Sequence, residues 1–499
     1  MKIKVLLINP FLTVYKDDPA GISPALGLGY LAAYLESNGI EVKVLDIAAE
    51  GVNIQKKIGK KVRYGLLETE IFKRIKEFSP KLVGITCQST LHAKEAMETA
   101  ELVKKADKNI LVVIGGAHPS ANPIEVLKDE NVDMVVIGEG EVTFLEITQR
   151  LEAKKNLNKI IGTFVKNGKK IIKNPGRPFI KDLDALPFPA RHLLPMEIYF
   201  REMAKNTSYA IRNRPMTVIT SRGCPGNCIF CAVKTVWGRM WRGRSPKNVV
   251  DEIEVLIKEY RANEIHFIDD SISVDKKRLE GICDEIIKRK LDIKWTTPNG
   301  IAVWLLDEKL LVKMKKAGCY RLTFGLESGN YETLNNFIGK HYDYDKAKQI
   351  INFASKIGLW TIGTFIIGFP YERKDSIEDT INFAIATDLD FAVFYIANPF
   401  PGTPMYEIYL KNKLLPSNNA FEVVRGCGTK YFSHKELTKI QGEAFSRFLE
   451  SRRKNPLRFL NKIRSVEDLF YIIKLGKNLS KLFLNKTLVK KRGIAALWR

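Results

Sequence analysis

The sequence predicts an α/β protein made of two successive parallel-sheet units: a Rossmann-like doubly wound sheet, then a partial (β/α)6 barrel. A mostly helical, basic C-terminal region follows. Three observations carry this expectation. Short apolar runs alternate with helical patterns in two separate series, a proline-dense stretch divides the series, and 499 residues are too many for one core. The expected boundaries are 1–155 for the first unit, 156–212 for a hairpin and linker, 213–405 for the barrel and 406–499 for the basic region.

The first series of strands reads Lys4–Asn9, Glu41–Asp46, Lys81–Thr86, Ile110–Ile114 and Met134–Ile137. These runs are short and Val/Ile-rich, as parallel strands buried between helices must be. Between the first two lies Ala25–Glu36, a helical pattern stopped by Asn38-Gly39. Ligands of such sheets sit beyond the carboxyl ends of the strands. Here those ends carry Pro10, Gln88-Ser89-Thr90, Gly115-Gly116-Ala-His118 and Gly138-Glu139-Gly-Glu141. Small residues let backbone N–H groups approach a ligand closely. Thr163–Ile172 reads as a hairpin about Asn167-Gly168. Pro175, Pro178, Pro187 and Pro189 then mark an extended connector.

The second series starts at Met216. Its strands read Met216–Thr220, Glu264–Ile268, Ile293–Thr297, Tyr320–Phe324, Trp360–Ile367 and Phe391–Ile396, separated by amphipathic helices such as Val249–Tyr260. Six β/α units in a row predict a partial barrel with its site at the strands' carboxyl ends.

Composition narrows the classes. A 45% hydrophobic and 27% charged chain suits a globular protein. Seven cysteines, three of them within eight residues, suit a reducing, cytoplasmic setting and a metal site better than a disulfide framework. Met1–Pro10 reads as a buried strand and not a signal peptide, and no uncharged run reaches membrane-spanning length.

The strongest signal is Ser221-Arg-Gly-Cys224-Pro-Gly-Asn-Cys228-Ile-Phe-Cys231, directly after the first barrel strand. Thiolates suit iron–sulfur clusters, and three of them hold three irons of a cubane while leaving the fourth open. Structural zinc is the alternative. It usually takes four protein ligands, and His192 and His266 are too distant in sequence to supply the fourth.

This motif, its place after strand one and the six β/α units resemble the radical S-adenosylmethionine (SAM) superfamily. The resemblance implies a [4Fe-4S] cluster on Cys224, Cys228 and Cys231 that cleaves SAM reductively. It places Phe230 near the adenine, Asp269 or Asp270 at the SAM amino group, Asn299 and Glu327 on the ribose or methionine part, and Gly363–Gly368 along the adenine. A literal Gly-Gly-Glu after strand two is missing.

The order of Rossmann unit, proline-rich linker and barrel is similar to that of the cobalamin (B12)-binding radical SAM proteins, over roughly residues 1–410. This implies a cobalamin at Gln88, Ser89, Gly115, Gly116, Gly138 and Glu139. The Asp-x-His-x-x-Gly cobalt-ligand motif is absent, so the resemblance implies either a base-off cobalamin without a histidine ligand or an inherited fold that no longer binds B12. His118 is expected to pack a loop instead. The activity implied is cobalamin-dependent methylation of an unactivated carbon, with ferredoxin or flavodoxin as external electron donor. A radical cyclase or carbon–carbon bond-forming enzyme is the alternative, and a non-catalytic B12- or membrane-responsive binding protein is the rival of another class. A methylthiotransferase fits less well, because the N-terminal unit lacks additional cluster cysteines.

Two stretches remain. Arg239, Arg242 and Arg244 follow the cluster loop, and are expected either to meet an anionic substrate or the cluster's charge, or to be solvated. The chain carries a net +24, and residues 451–499 hold fourteen Lys/Arg against Glu467 and Asp468. Their apolar residues interleave with lysine at helical spacing, in Leu469–Leu475 and again in Leu479–Lys491. Such segments favour anionic lipid surfaces, so peripheral membrane association and a lipid or isoprenoid substrate are expected. Packing as a barrel cap is the alternative, and nucleic acid is the least favoured partner.

Overall fold

A computed structural model describes residues 3–16, 20–206, 210–415, 427–454 and 456–474. In the first unit, parallel strands Lys4–Asn9, Glu41–Asp46, Leu82–Thr86, Leu111–Gly115 and Met134–Val136 form one sheet. The order runs from Glu41–Asp46 through Lys4–Asn9 to Leu82–Thr86, then outward in sequence order. The chain direction therefore switches between the strands ending at Asn9 and Thr86, which opens a crevice at their carboxyl ends. Val5, Leu7, Ile8, Leu82, Val83, Val112 and Ile114 are buried on both faces, which is why the runs lack polar alternation.

Two features depart from the sequence reading. The hairpin Thr163–Asn167 and Lys170–Lys173, expected in the connector, pairs antiparallel with Met134–Val136 and extends the first sheet by two strands. Its Val165 is buried in that sheet's core, so burial decides its membership. A small antiparallel sheet of Leu12–Tyr15, Lys61–Tyr64 and Gln55–Ile58 is also present. Its lysine-rich strands carry too little apolar signal to be read beforehand.

The second unit is an open six-stranded parallel sheet in sequence order: Pro215–Val218, Glu264–Phe267, Lys294–Ile301, Cys319–Glu327, Trp360–Ile367 and Phe391–Ile396. Helix His434–Arg453 starts with a Ser433/Glu436 capping box and covers the last strand. Its Gln441 Nε2 donates to Phe394 O at 2.6 Å. Arg452 donates to Ala384 O, Thr387 O and Leu389 O, satisfying carbonyls freed where helix Lys374–Ala386 ends.

The described part of the basic tail packs. Tyr471 is buried with Tyr320, Trp360 and Phe391, at the amino ends of three barrel strands. Arg321 Nη1 donates to the Tyr471 hydroxyl at 3.1 Å, and buried Lys462 pairs with Asp390 at 3.0 Å. Residues 456–474 thus close the barrel end opposite the cluster motif. The outer face of helix 466–474 leaves Val466, Leu469, Phe470 and Ile473 exposed. The second tail segment, Leu479–Lys491, lies outside the described residues. Among those described, no helix is long and apolar enough to cross a membrane.

Candidate functional site

The thiols of Cys224, Cys228 and Cys231 lie on one loop after the first barrel strand, all half-buried and free of disulfides. Gly226 lies between two of them. A β-carbon there would stand 3.3 Å from Cys224 Sγ and 4.0 Å from Cys228 Sγ, so the loop curls its sulfurs inward. Burial, above all, pushes Cys231 up to about 12, and raises Cys224 and Cys228 as well. Loading metal must therefore displace these protons. Among the described residues no three His, Cys, Asp or Glu side chains close on a single-ion site. Thiolates that each bind a separate iron of a cubane need no such convergence. The donor set therefore fits the cluster.

Asp269 and Asp270 divide their work. Asp269 is buried, and its Oδ1 accepts from Thr220 N at 3.0 Å, Thr220 Oγ1 at 2.8 Å and Ser221 Oγ. It therefore braces the strand end that launches the cysteine loop and is committed there. Asp270 is the freer carboxyl. Burial, then the neighbouring Asp269, raises it to about 6. Its field also reaches Cys224 and Cys231.

Glu327 ends the fourth strand with φ +65, a left-handed geometry that a non-glycine residue adopts only when its surroundings enforce it. Its Oε1 receives Lys340 Nζ at 2.7 Å, and Lys340 also donates to Gly325 O at 2.7 Å and sits over the Trp304 ring. Lys340 was not singled out from sequence. Asn299 lies on the third strand beyond a register shift and donates to Ile268 O at 2.8 Å.

Gly368 has φ +80, and a β-carbon there would meet Leu437 at 2.8 Å. The Gly368 and Phe369 N–H groups donate to buried Glu372, at 2.6 and 3.2 Å. Burial lifts that carboxyl to about 8 despite both bonds. Glu372 shapes this turn and was also missed. Its signal was a glutamate closing Gly-Phe-Pro-Tyr-Glu. Phe230 and Phe369 lie 6.1 Å apart, forming an aromatic wall beside the cysteine loop.

Two neighbouring cavities occupy the carboxyl ends of the first sheet. One, of about 330 Å³, is lined by Asn9, Pro10, Asp46, Gln88, Ser89 and His92, among others. The other, of about 490 Å³, has Gly84, Gly115, Gly116 and Gly138 on the Rossmann side, with Arg222, Trp237 and Asn299 from the barrel. Gln88 lines both. At Gly116, φ is +115 and a β-carbon would stand 2.6 Å from Cys87 O. The larger cavity is mainly apolar and has no histidine in its lining. This glycine-edged slot without a histidine fits a corrinoid that takes no histidine ligand.

Other expectations change here. The Glu139 carboxylate is ion-paired to Arg222 and Arg242 and accepts from Ile180 N at 2.7 Å, so it is an interdomain anchor and is not free for a ligand. Arg242 and Arg244 are buried and not solvated. Arg244 shares Glu252 with Arg191. Arg239 remains exposed. His118 is buried against Thr90 Oγ1 at 3.0 Å, and burial holds it down near 4, so it packs a loop as a neutral ring.

A Rossmann sheet with a glycine-edged slot, set against a six-stranded barrel with a three-thiol loop, defines the class: a cobalamin-binding radical SAM enzyme. Comparison places the chain within it. Residues 12–148 match the B12 binding domain and residues 218–384 match the radical SAM superfamily. The chain is 34% identical over 452 residues to an uncharacterized methyltransferase of Pyrococcus horikoshii, covering 90% of this chain and 92% of that one. It is 35% identical over 436 residues to cytidylyl-2-hydroxyethylphosphonate methyltransferase of Streptomyces wedmorensis, covering 81% and 80%. With the anaerobic magnesium-protoporphyrin IX monomethyl ester cyclase of Rubrivivax gelatinosus it shares 29% identity over 412 residues, covering 81% and 70%. The cobalamin-dependent SAM radical enzyme OxsB, solved with aqua-cobalamin and SAM, superposes with a TM-score of 0.71 at 17% identity, covering 98% of this chain and 72% of that one. The chain belongs to the B12-binding radical SAM family. It is an enzyme whose cofactors are a [4Fe-4S] cluster, SAM and cobalamin.

Proposed function

We propose that the enzyme methylates an unactivated carbon of a small molecule. The carrying observation is the shared cavity: Gly115, Gly116 and Gly138 of the Rossmann unit face Arg222, Trp237 and Asn299 of the barrel across one space. A methyl carrier and a radical source housed there act on one substrate. When bound, the cluster would supply the electron that cleaves SAM to methionine and a hydrogen-abstracting 5′-deoxyadenosyl radical, and cobalamin would supply a methyl group taken in turn from a second SAM.

The residues divide the remaining work. Cys224, Cys228 and Cys231 ligate three irons. Asp270 receives the SAM ammonium. The Glu327–Lys340 pair presents a carboxylate to the ribose and a cation to the methionine carboxylate. Phe230, Phe369 and the Gly368 turn flank the adenine, and Asn299 meets the ribose or methionine part. Gln88, Ser89, Gly115, Gly116 and Gly138 hold cobalamin by open backbone and shape. We divide the chain into 1–173, which takes in the hairpin, a linker 174–212, the barrel 213–405 and the basic region 406–499.

Turnover with SAM deuterated in its methyl group tests the reading: label in the product supports it. Unlabelled, ring-closed product favours the cyclase reading, which rests on the 29% identity to the magnesium-protoporphyrin ester cyclase. The methyl reading is preferred because two relatives above 30% identity are methyltransferases.

An external one-electron donor of the ferredoxin or flavodoxin class completes the cycle. Peripheral attachment to the cytoplasmic face of a membrane is proposed through Val466, Leu469, Phe470 and Ile473, a stripe at i, i+3, i+4 and i+7. That stripe lies at the barrel end opposite the cluster, so it gives no reason to choose a lipid or isoprenoid substrate. Co-sedimentation of Leu469→Ser/Phe470→Ser protein with anionic liposomes tests it, and undiminished sedimentation removes it. Deleting 451–499 would be uninformative, because Lys462 and Tyr471 belong to the core.

A further inference from the structure

Arg222 precedes Cys224 by two residues, and its guanidinium bridges two carboxylates of the Rossmann unit. Nη1 lies 2.8 Å from Glu139 and Nη2 lies 2.6 Å from Glu141. Arg242 is its partner across a short antiparallel bridge. Arg242 Nη1 lies 2.9 Å from both oxygens of Glu139 and donates to Ile180 O at 2.6 Å. These four side chains are only 4–7% exposed. Buried charges are costly unless paired with good geometry, and arginine's planar fork tolerates little misplacement. Such a network therefore fixes register more than it adds stability.

The same atoms form a wall of the larger cavity. Arg222, Glu141, Gly138, Tyr30 and Trp237 all line it. The Arg222 guanidinium lies over the Trp237 ring at 4.8 Å and over the Tyr30 ring at 5.4 Å. Gly223, between Arg222 and Cys224, has φ +86, and a β-carbon there would lie 2.4 Å from Met240 O. The thiol loop thus leaves the network without slack.

We propose that Arg222 is a positioning residue that couples the two cofactor sites. Filling the cobalamin cavity steadies the Arg222 fork on Glu139 and Glu141, and through Gly223 it steadies the loop that carries the cluster thiols. Cobalamin is then a retaining ligand for the cluster as well as a reagent. Linkage requires the converse, so the cluster tightens cobalamin by the same factor.

The test uses the full-length, anaerobically reconstituted protein and no turnover. Iron loss to a chelator is timed with and without hydroxocobalamin, and the hydroxocobalamin Kd is measured with and without the cluster. The expected result is a hydroxocobalamin Kd lowered about fivefold or more by the cluster, and iron loss that is slower with hydroxocobalamin bound. Glu141→Gln leaves Glu139 on both arginines and keeps a neutral acceptor. This variant should still take up both cofactors, cobalamin more weakly because Glu141 lines its cavity, while both coupling effects shrink. Equal iron loss with and without hydroxocobalamin in the unaltered protein overturns the coupling. So does Glu141→Gln protein that keeps full coupling, because contact between the cofactors would then be the cause. The Kd comparison needs no variant and stands if Glu141→Gln misfolds. The inference rests on the three thiols holding the cluster: failure of that reading shows as protein without iron, whereas failure of the coupling shows as equal rates.

Discussion

The two cofactor regions are built on opposite principles. In the proposed assignment, side chains do the recognising at the carboxyl end of the barrel: three thiols, Asp270, and a cation–carboxylate pair at Lys340 and Glu327. At the carboxyl end of the Rossmann sheet, the absence of side chains does it: Gly84, Gly115, Gly116 and Gly138 leave a slot of about 490 Å³. On that assignment the first region would read a small charged molecule by complementary charge, and the second a large one by shape. They should therefore fail in opposite ways, the barrel when a side chain is removed and the sheet when one is added.

The sharpest break is expected at Cys228→Ala. Two thiolates cannot hold the cubane in place of three, so SAM cleavage under a chemical reductant should fall to background. Hydroxocobalamin binding should persist, weakened at most by the coupling factor. 5′-Deoxyadenosine quantified by mass reads the first, and spectrophotometric titration reads the second. Deoxyadenosine formed at the unaltered rate would remove the thiol assignment.

Lys340→Met should come next. It strands the Glu327 carboxylate, now 12% exposed, without its cation. Stranding a buried partner costs about 2 kcal/mol or more, about thirtyfold in SAM Kd. Lys340→Arg should recover part of it. Unchanged SAM affinity in Lys340→Met would show that this pair only braces the strand end.

Gly115→Val probes the other principle. Around Gly115 a β-carbon would find no protein atom nearer than 3.8 Å, so the added methyls project into the slot and fold is preserved. Overfilling of this kind costs about 1–3 kcal/mol, roughly tenfold or more in cobalamin affinity, with SAM cleavage retained. Gly116→Val makes a poor probe, since its β-carbon would collide with Cys87 O at 2.6 Å. Equal cobalamin Kd for Gly115→Val and the unaltered protein would place the cofactor elsewhere.

This asymmetry also explains what was legible in the sequence. The thiol loop could be read because its chemistry is local, with three ligands inside eight residues. Both sheets could be read because buried parallel strands must be continuously apolar. The charged residues following the strands were assigned less well. Asp269 and Glu139 sit at strand ends where ligand contacts are expected, yet they spend their carboxylates on Thr220, Ser221, Arg222 and Arg242. Nothing local separates Asp269 from Asp270; the choice follows from which one faces Thr220 across the sheet. Lys340 and Arg222 were missed for the same reason, since their partners lie 13 and more than 80 residues away. The described tail serves two faces that composition alone does not separate: Lys462 and Tyr471 close the barrel floor, while Val466, Leu469, Phe470 and Ile473 stay exposed.

The smallest expected effect tests whether Asp270 is the charge-reading partner on the barrel side. Burial, and then Asp269, raise its carboxyl to about 6, above the ordinary aspartate value. Below that pH the carboxyl is protonated, and binding a SAM ammonium must expel the proton. SAM affinity should therefore rise with pH up to about 6 and level off above it. A partly buried pair of this kind contributes about 1 kcal/mol, about fivefold in Kd at pH 7. Asp270→Asn should show that fivefold weakening at pH 7 and a flat profile from pH 5 upward, measured by equilibrium SAM binding to cluster-loaded protein. Asp269→Asn should instead lower the amount of cluster-loaded protein, since Asp269 braces the loop. Parallel pH curves for Asp270→Asn and the unaltered protein would assign the titration to another group and leave the barrel end reading SAM through Lys340 and Glu327 alone.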